Sequence, residues 1–209
     1  NFQGKTIQSV LVNKKLVTGN NFLFTTALTI TASLFKSTRY QTWLESLVKI
    51  EYLGNICLIL RLKKSLSDTY WINVNEPNFP FVGVIEHTNF DSPENYAGSH
   101  IVYLSKYIPW SAIEYSFSNK KYLEYALPYI KKMFPSFSKD WLIDYVVWRE
   151  KFAQPVTVKN YSNIIPQNKT PYENGFISTM AQIYPEDRGT NYAIREGKKI
   201  VSYMINKTL

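Results

Sequence analysis

A chain of 209 residues, 45% of them hydrophobic, can bury one large core or two small ones. Its 16% aromatic content, with 16 tyrosines, excludes a disordered chain and points to sheet faces and a lined cleft. The net charge of +8 (24 Lys and Arg against 16 Asp and Glu) admits an anionic partner or a peripheral membrane contact. The lysines, however, fall in scattered pairs such as Lys14-Lys15, Lys63-Lys64 and Lys131-Lys132, with no nucleic-acid motif beside them. They read as solvated faces, and no nucleic-acid partner is expected. Cys57 is the only cysteine, which excludes an intrachain disulfide framework and fits a reducing compartment. No apolar run approaches the roughly 18 residues of a membrane span and no signal peptide opens the chain, so a cytoplasmic location is expected.

In chain order, Lys5 to Val12 alternates, Lys14-Lys15 turns, and Leu16-Val17 follows. Gly19-Asn20-Asn21 makes a second turn before Phe22 to Thr26, so the opening predicts a small antiparallel meander. Leu28 to Phe35 and Tyr40 to Val48 read as short helices. Lys49 to Ser65 is strand-like, broken or bulged at Gly54, with its apolar stretch Ile56 to Leu60 covered on both faces. Cys57 within it reads as a small hydrophobe, since no histidine stands nearby in sequence to activate it. Asp68 to Val74 and Phe81 to Thr88 continue the sheet around a turn at Glu76 to Pro80, and Ser99 to Tyr107 adds another strand.

A helix is predicted from Ser118 to Met133, capped by Ser118 or Asn119, with Pro128 kinking it or resetting its start. Trp141 to Gln154 reads as a last long strand, and Pro155 to Asn174 as a loop. Gly175 to Met180 is a short β-like run. A polar turn carrying Pro185, Glu186, Asp187, Arg188 and Gly189 follows it. Tyr192, Ala193, Gly197, Ile200, Val201 and Met204 then recur at helical spacing. The fold class expected is α+β, with a mixed, mostly antiparallel sheet and flanking helices.

A strand, a turn with Asp and Gly, and a helix start can hold an anion or a polar ring edge, because the first N–H groups of the helix are free and its dipole is positive there. The same unit also arises when Asp187 merely caps the helix and Gly197 leaves a packing gap. His87 and His100 are the only histidines, and there is no HxxxH, CxxC or acidic triplet, so no metal site is expected. Nor is there a GxSxG elbow or a P-loop. Glu86 and His87, neighbours on a predicted strand, would point to opposite faces.

The segment from Asn174 to Met204 resembles the C-terminal FAD-contacting segment of the flavin-containing amine oxidase, protoporphyrinogen oxidase and phytoene desaturase superfamily. Ala193 and Gly197 sit where that family has its small residues, and Met180, Ala181 and Gln182 stand where it commonly has Gly-Asp. Phe22 to Leu28 resembles the family's middle segment, without its usual proline after Thr25-Thr26. The stretches Tyr52-Leu53-Gly54, Tyr70-Trp71, Pro80 to Asn89, Tyr103 to Tyr107 and Phe152 to Pro155 resemble its substrate domain. The GxGxxG that would hold the FAD pyrophosphate on a Rossmann helix is not in these residues. The resemblance therefore implies the C-terminal half of such an enzyme, whose missing N-terminal Rossmann domain would be its partner.

On that resemblance residues 1–27 are the middle of an FAD-binding domain, 28–172 a substrate-binding domain, and 173–209 the C-terminal FAD-contacting strand and helix. FAD would be the cofactor of the complete enzyme, contacted by Asp187, Arg188, Gly189, Thr190, Asn191 and Tyr192. A small-molecule substrate would meet Tyr70, His87, Asn89, Tyr103 and Gln154. The implied reaction is oxidation or desaturation by hydride transfer to flavin. The chain alone, lacking the Rossmann half, is expected to be inactive. Two alternatives stand beside it: a flavin-dependent isomerase of the UDP-galactopyranose mutase kind, and a non-catalytic binding or interaction domain.

Overall fold

In the computed structural model, which describes residues 1–35 and 38–206, the chain divides into two units: Asn1–Glu51 with the residues from Pro155 onward, and Tyr52–Gln154. The unit boundaries thus lie at 51/52 and 154/155, while the resemblance divides the chain at 27/28 and 172/173.

The first unit opens with β1 (Phe2–Gln3) paired to β2 (Thr6–Ile7), then β3 (Ser9–Val12) paired to β4 (Lys15–Thr18). Asn13 and Lys14, at φ of 48° and 66°, form the two-residue turn whose positive φ values suit the twist of a tight hairpin. The turn is therefore Asn13-Lys14, and Lys15 already pairs with Val12. β5 (Phe22–Phe24) does not extend a meander, as the sequence predicts. It pairs in parallel with β11 (Gly175–Ile177), in the register Phe22 to Gly175, Leu23 to Phe176 and Phe24 to Ile177. A parallel partner needs a long connection, and here about 150 residues intervene, out of reach of local turn signals.

The parallel pair is held at its entrance by Asn174. Its side-chain oxygen accepts from the Ile7 N–H (2.8 Å), and its amide donates to the carbonyls of Ile7 (2.9 Å) and Asn20 (3.1 Å). The Phe22 N–H donates to the Asn174 carbonyl at 2.8 Å. Gly175 must be small, because a Cβ there would lie 2.5 Å from Thr170 Oγ1 and 3.0 Å from Ile7 Cδ1. Helices α1 (Leu28–Leu34) and α2 (Gln41–Val48) follow, close to their expected bounds. Between them Phe35 meets Trp43 edge-on at 5.0 Å and lies stacked on Tyr172 at 5.4 Å, inside a small core with Ile7 and Phe22.

The second unit is a five-stranded sheet in the order β10-β6-β9-β8-β7. Its strands are β6 (Tyr52–Leu62), β7 (Trp71–Asn73), β8 (Gly83–Glu86), β9 (His100–Ile108) and, after helix α3 (Asn119–Met133), β10 (Leu142–Pro155). The pairs β6–β9, β9–β8 and β8–β7 are antiparallel, so the chain is α+β with a mostly antiparallel sheet. Along β6 the alternation is direct: Ile56, Leu58, Leu60 and Leu62 are buried, while Cys57 and Ile59 between them are half-buried. The buried row packs on Tyr122, Leu123, Ala126 and Ile130 of α3. The Tyr122 hydroxyl, pushed up by burial, donates to the Pro80 carbonyl at 2.9 Å.

Three expectations are corrected here. β6 carries no bulge at Gly54: its register with β9 is unbroken from Gly54–Ile108 to Leu62–His100. Gly54 serves close approach instead, since a Cβ would come within 2.8 Å of the Tyr115 ring. Pro128 does not reset the start of α3, which runs through it from Asn119; Pro128 is exposed, as is Glu124 one turn earlier, so water can take the carbonyl that proline leaves unbonded. The run from Gly175 stops at Ile177, and Met180–Gln182 is a 3₁₀ turn in which the Thr179 N–H donates to Gln182 Oε1 at 2.8 Å.

Replacing Asn174 with alanine strips both Ile7 backbone groups of their partner, and we expect a loss of about 1–3 kcal/mol. Urea unfolding measures it. An unchanged midpoint would mean that water replaces the amide at no cost.

Candidate cofactor-contact cleft and a second aromatic cluster

The C-terminal ends of the parallel strands β5 and β11 open onto a cleft of about 220 Å³ within the first unit. Leu23 and Thr25 line it from the β5 side, and Ser178, Thr179 and Met180 from beyond β11. Ile183 and α4 (Thr190–Asn206), through Ala193, Glu196, Gly197 and Ile200, complete its wall. A crevice beyond the carboxyl ends of parallel strands, walled by the helix that follows, is where open α/β arrangements bind ligands.

Two observations show room and unused bonding capacity there. Gly197 is exposed, and a Cβ built on it meets nothing within 4 Å. It faces open space. Thr179 is 9% exposed, and its Oγ1 makes no hydrogen bond of ordinary geometry among the described residues. In the capping turn the Gln182 N–H is aimed at the Thr179 hydroxyl oxygen and donates to the Thr179 carbonyl at 3.0 Å, and no acceptor for the hydroxyl's own proton stands among the described residues.

The six residues expected at a cofactor gather at the start of α4 and just before it. Gly189 precedes the first turn, its carbonyl accepting from the Ala193 N–H at 3.0 Å. Thr190, Asn191 and Tyr192 form that turn, whose N–H groups have no partners within the helix. The Asp187 carboxylate accepts from the Arg188 N–H at 2.7 Å, and Arg195 lies over the Tyr192 ring at 4.8 Å. None of the six lines the cleft, whose wall begins one residue later at Ala193.

A charge network fastens the loop to the helix. Arg195 reaches Glu186 at 2.6 Å and Glu196 at 3.0 Å, and Lys199 approaches Glu196 at 3.4 Å. The hydrogen bond from Arg195 holds the Glu186 carboxyl below its ordinary range. Glu196 therefore enters the cleft wall with both carboxylate oxygens engaged by cations.

All five residues expected at a substrate lie in the second unit, and four of them, Tyr70, His87, Asn89 and Tyr103, gather there. His87 opens a 3₁₀ turn, His87–Asn89, at the end of β8, so it is not on the strand as the sequence predicts. It faces Tyr103 at 6.0 Å and Phe90 at 6.4 Å between ring centres, and Phe90 lies 5.4 Å from Tyr70. Asn89 Nδ2 donates to the Ser67 carbonyl at 2.5 Å, a loop-fastening bond. Gln154 stands apart near the end of β10, with β6 between that strand and β9.

Glu86, which the sequence marks only as the opposite-facing neighbour of His87, is 1% exposed and accepts from the N–H groups of Leu66 (3.1 Å) and Ser67 (3.0 Å). Cys57 is half-buried, and burial pushes its thiol up to about 11, which leaves it protonated and unreactive at neutral pH. Among the described residues no helix is long and apolar enough to cross a membrane, and no group of His, Cys, Asp and Glu is placed to hold a metal.

Because Gly197 meets only open space, Gly197→Ala should stabilise α4 by about 0.5–1 kcal/mol, the helix-propensity difference. Thermal or urea unfolding of this chain reads it, and destabilisation would mean that the position is packed.

No protein-family model matches the chain, and no curated protein matches it. Solved structures do. An oxidoreductase from Methanosarcina mazei superposes with a TM-score of 0.62 at 14% identity, over 86% of this chain and 42% of that one. A protein from Exiguobacterium sp. 255-15 described as a protoporphyrinogen oxidase gives 0.70 at 8% identity, over 92% of this chain and 42% of its own. A reduced UDP-galactopyranose mutase gives 0.60 at 15% identity, over 78% and 37%. The chain thus spans about two fifths of the length of the structures it matches, and with them it shares a fold.

Proposed function

We propose that this chain is the substrate-binding and partial FAD-binding portion of an FAD-dependent oxidoreductase of the amine oxidase and protoporphyrinogen oxidase kind. The observation that carries this reading is the cleft beyond β5 and β11. It joins a parallel strand pair, an open helix edge at Ala193 and Gly197, and a buried hydroxyl with a proton to give. The solved structures that share the fold, an oxidoreductase and a protein described as a protoporphyrinogen oxidase among them, support it.

The residues present fit a flavin. Ala193 and Gly197 leave space for a flat ring system, the first N–H groups of α4 suit electronegative ring or phosphate oxygens, and Thr179 offers a donor. A bound flavin would supply the redox chemistry of the reaction. The protein's own work is positional. Thr179 and the α4 amides orient the cofactor edge, and the Glu186–Arg195–Glu196 network keeps the preceding loop against the helix. In this reading residues 1–27 and 173–209 serve the cofactor, and the sheet with Tyr70, His87, Asn89 and Tyr103 serves the substrate, without Gln154, which stands apart.

A second reading, a flavin-dependent isomerase, is favoured by the likeness to the UDP-galactopyranose mutase structure. Substrate conversion without net oxygen uptake would select it.

In the full-length protein, Gly197→Leu should fill the cleft and lower the flavin bound per chain severalfold, read from visible absorbance against protein concentration. Gly189→Leu should act in the same direction, because its side chain would stand just before the first turn of α4, beside the N–H groups offered to the cofactor edge. Full flavin occupancy in both variants would remove the cofactor assignment.

A further inference from the structure

The turn after β8 holds a hydrogen-bonded chain that the cofactor reading does not use. Asp91 accepts from Asn95 Nδ2 (2.8 Å) and the Ser92 N–H (2.9 Å) through Oδ1, and from the Tyr96 hydroxyl (3.0 Å) through Oδ2. The Tyr96 oxygen lies 2.7 Å from His87 Nε2. Those bonds, led by the one from Asn95, hold the Asp91 carboxyl below its ordinary range, so it is an acceptor only at neutral pH.

Proton counting then settles the direction of the chain. Tyr96 has one proton and gives it to Asp91, so its oxygen can only accept from His87. His87 must carry its proton on Nε2, and in the neutral ring Nδ1 is left with a bare lone pair. Nδ1 makes no hydrogen bond among the described residues, and the ring is half-buried. Around it stand three further rings: Tyr103 edge-on at 6.0 Å, Phe90 at 6.4 Å, and Tyr70 at 5.4 Å from Phe90. Phe90 is 77% exposed and Tyr70 40%, an unusual outlay of aromatic surface beside a fixed acceptor.

We infer that His87 is a built hydrogen-bond acceptor: Asp91 and Tyr96 fix it as the Nε2–H tautomer, and its Nδ1 receives the O–H or N–H of a planar aromatic ligand lying against Tyr70, Phe90 and Tyr103. This rests on the reading of the second unit as substrate-binding, and it narrows the substrate to a flat molecule with a donor at its edge. Tyr96 and Asp91 are positioning residues, since they act through His87, following the logic by which a third group orients a base. The rings give contact area and the single acceptor gives discrimination. A site whose polar group is left unpaired rejects the analogue that lacks the donor.

The test uses the whole chain with ¹⁵N-labelled histidine at about pH 8, above the ordinary histidine range. Long-range ¹H–¹⁵N spectra should show His87 as the Nε2–H tautomer. Titration with 4-methylphenol should shift Nδ1 and the Tyr70 and Phe90 rings. Toluene, with the same ring and no donor, should leave Nδ1 unmoved. Tyr96→Phe should return His87 to a tautomer mixture and lose the Nδ1 response, with backbone amide dispersion as the check on folding. A wild-type ring protonated on Nδ1, or an equal response to both probes, overturns the inference without needing any variant. Flavin occupancy is read separately, so the failure of this site is distinguishable from failure of the cofactor assignment.

Discussion

The first unit depends on a parallel pairing between two three-residue strands, β5 and β11, that stand about 150 residues apart in sequence. Two strands that short cannot hold each other by ladder bonds alone, because each bond nets only about 1 kcal/mol and the loop between them is long. Asn174 supplies the missing specificity. Its amide reads both backbone groups of Ile7 and the carbonyl of Asn20, so the chain's opening segment is fastened at the entrance of β11. Gly175, hemmed in by Thr170 and Ile7, allows the approach.

From that closure the cleft follows. Parallel strands end on the same side, so Thr25 after β5 and Ser178 after β11 arrive together. The 3₁₀ turn and the loop to Gly189 then bring α4 back across them, and its first turns carry Ala193 and Gly197 where larger residues would close the space. Burial on α4 is confined largely to Ile200, so its early turns are walls of the cleft more than parts of the core. The ion pairs along Glu186, Arg195, Glu196 and Lys199 lie near the surface, where such contacts contribute little stability. Their effect is to set the loop's place.

The second unit rests on different physics. One face of its sheet is a row of buried aliphatic residues packed on α3. Its loops are fastened by polar side chains: Glu86 holds Leu66 and Ser67, Asn89 holds Ser67, and Asp91 gathers Ser92, Asn95 and Tyr96. These polar anchors share a short stretch with the aromatic cluster around His87. A loop so tied presents its rings at a lower entropy cost than a free one.

The sequence by itself determined the elements whose signal is local. The alternation of β6, the apolar stripe and Ser118 cap of α3, the strand of β10 and the helix after Gly189 were all legible, because period and capping need only neighbours. The resemblance of Asn174 to Met204 also pointed to the end of β11 and the start of α4, where the cleft is found. Tertiary structure alone decided the rest. It paired β5 with β11 instead of with the hairpin, left Gly197 facing open space, kept β6 straight through Gly54, and set Gln154 apart from His87. Each of these is a contact, or the want of one, between residues far apart in the chain, and neither periodicity nor turn chemistry carries information at that range.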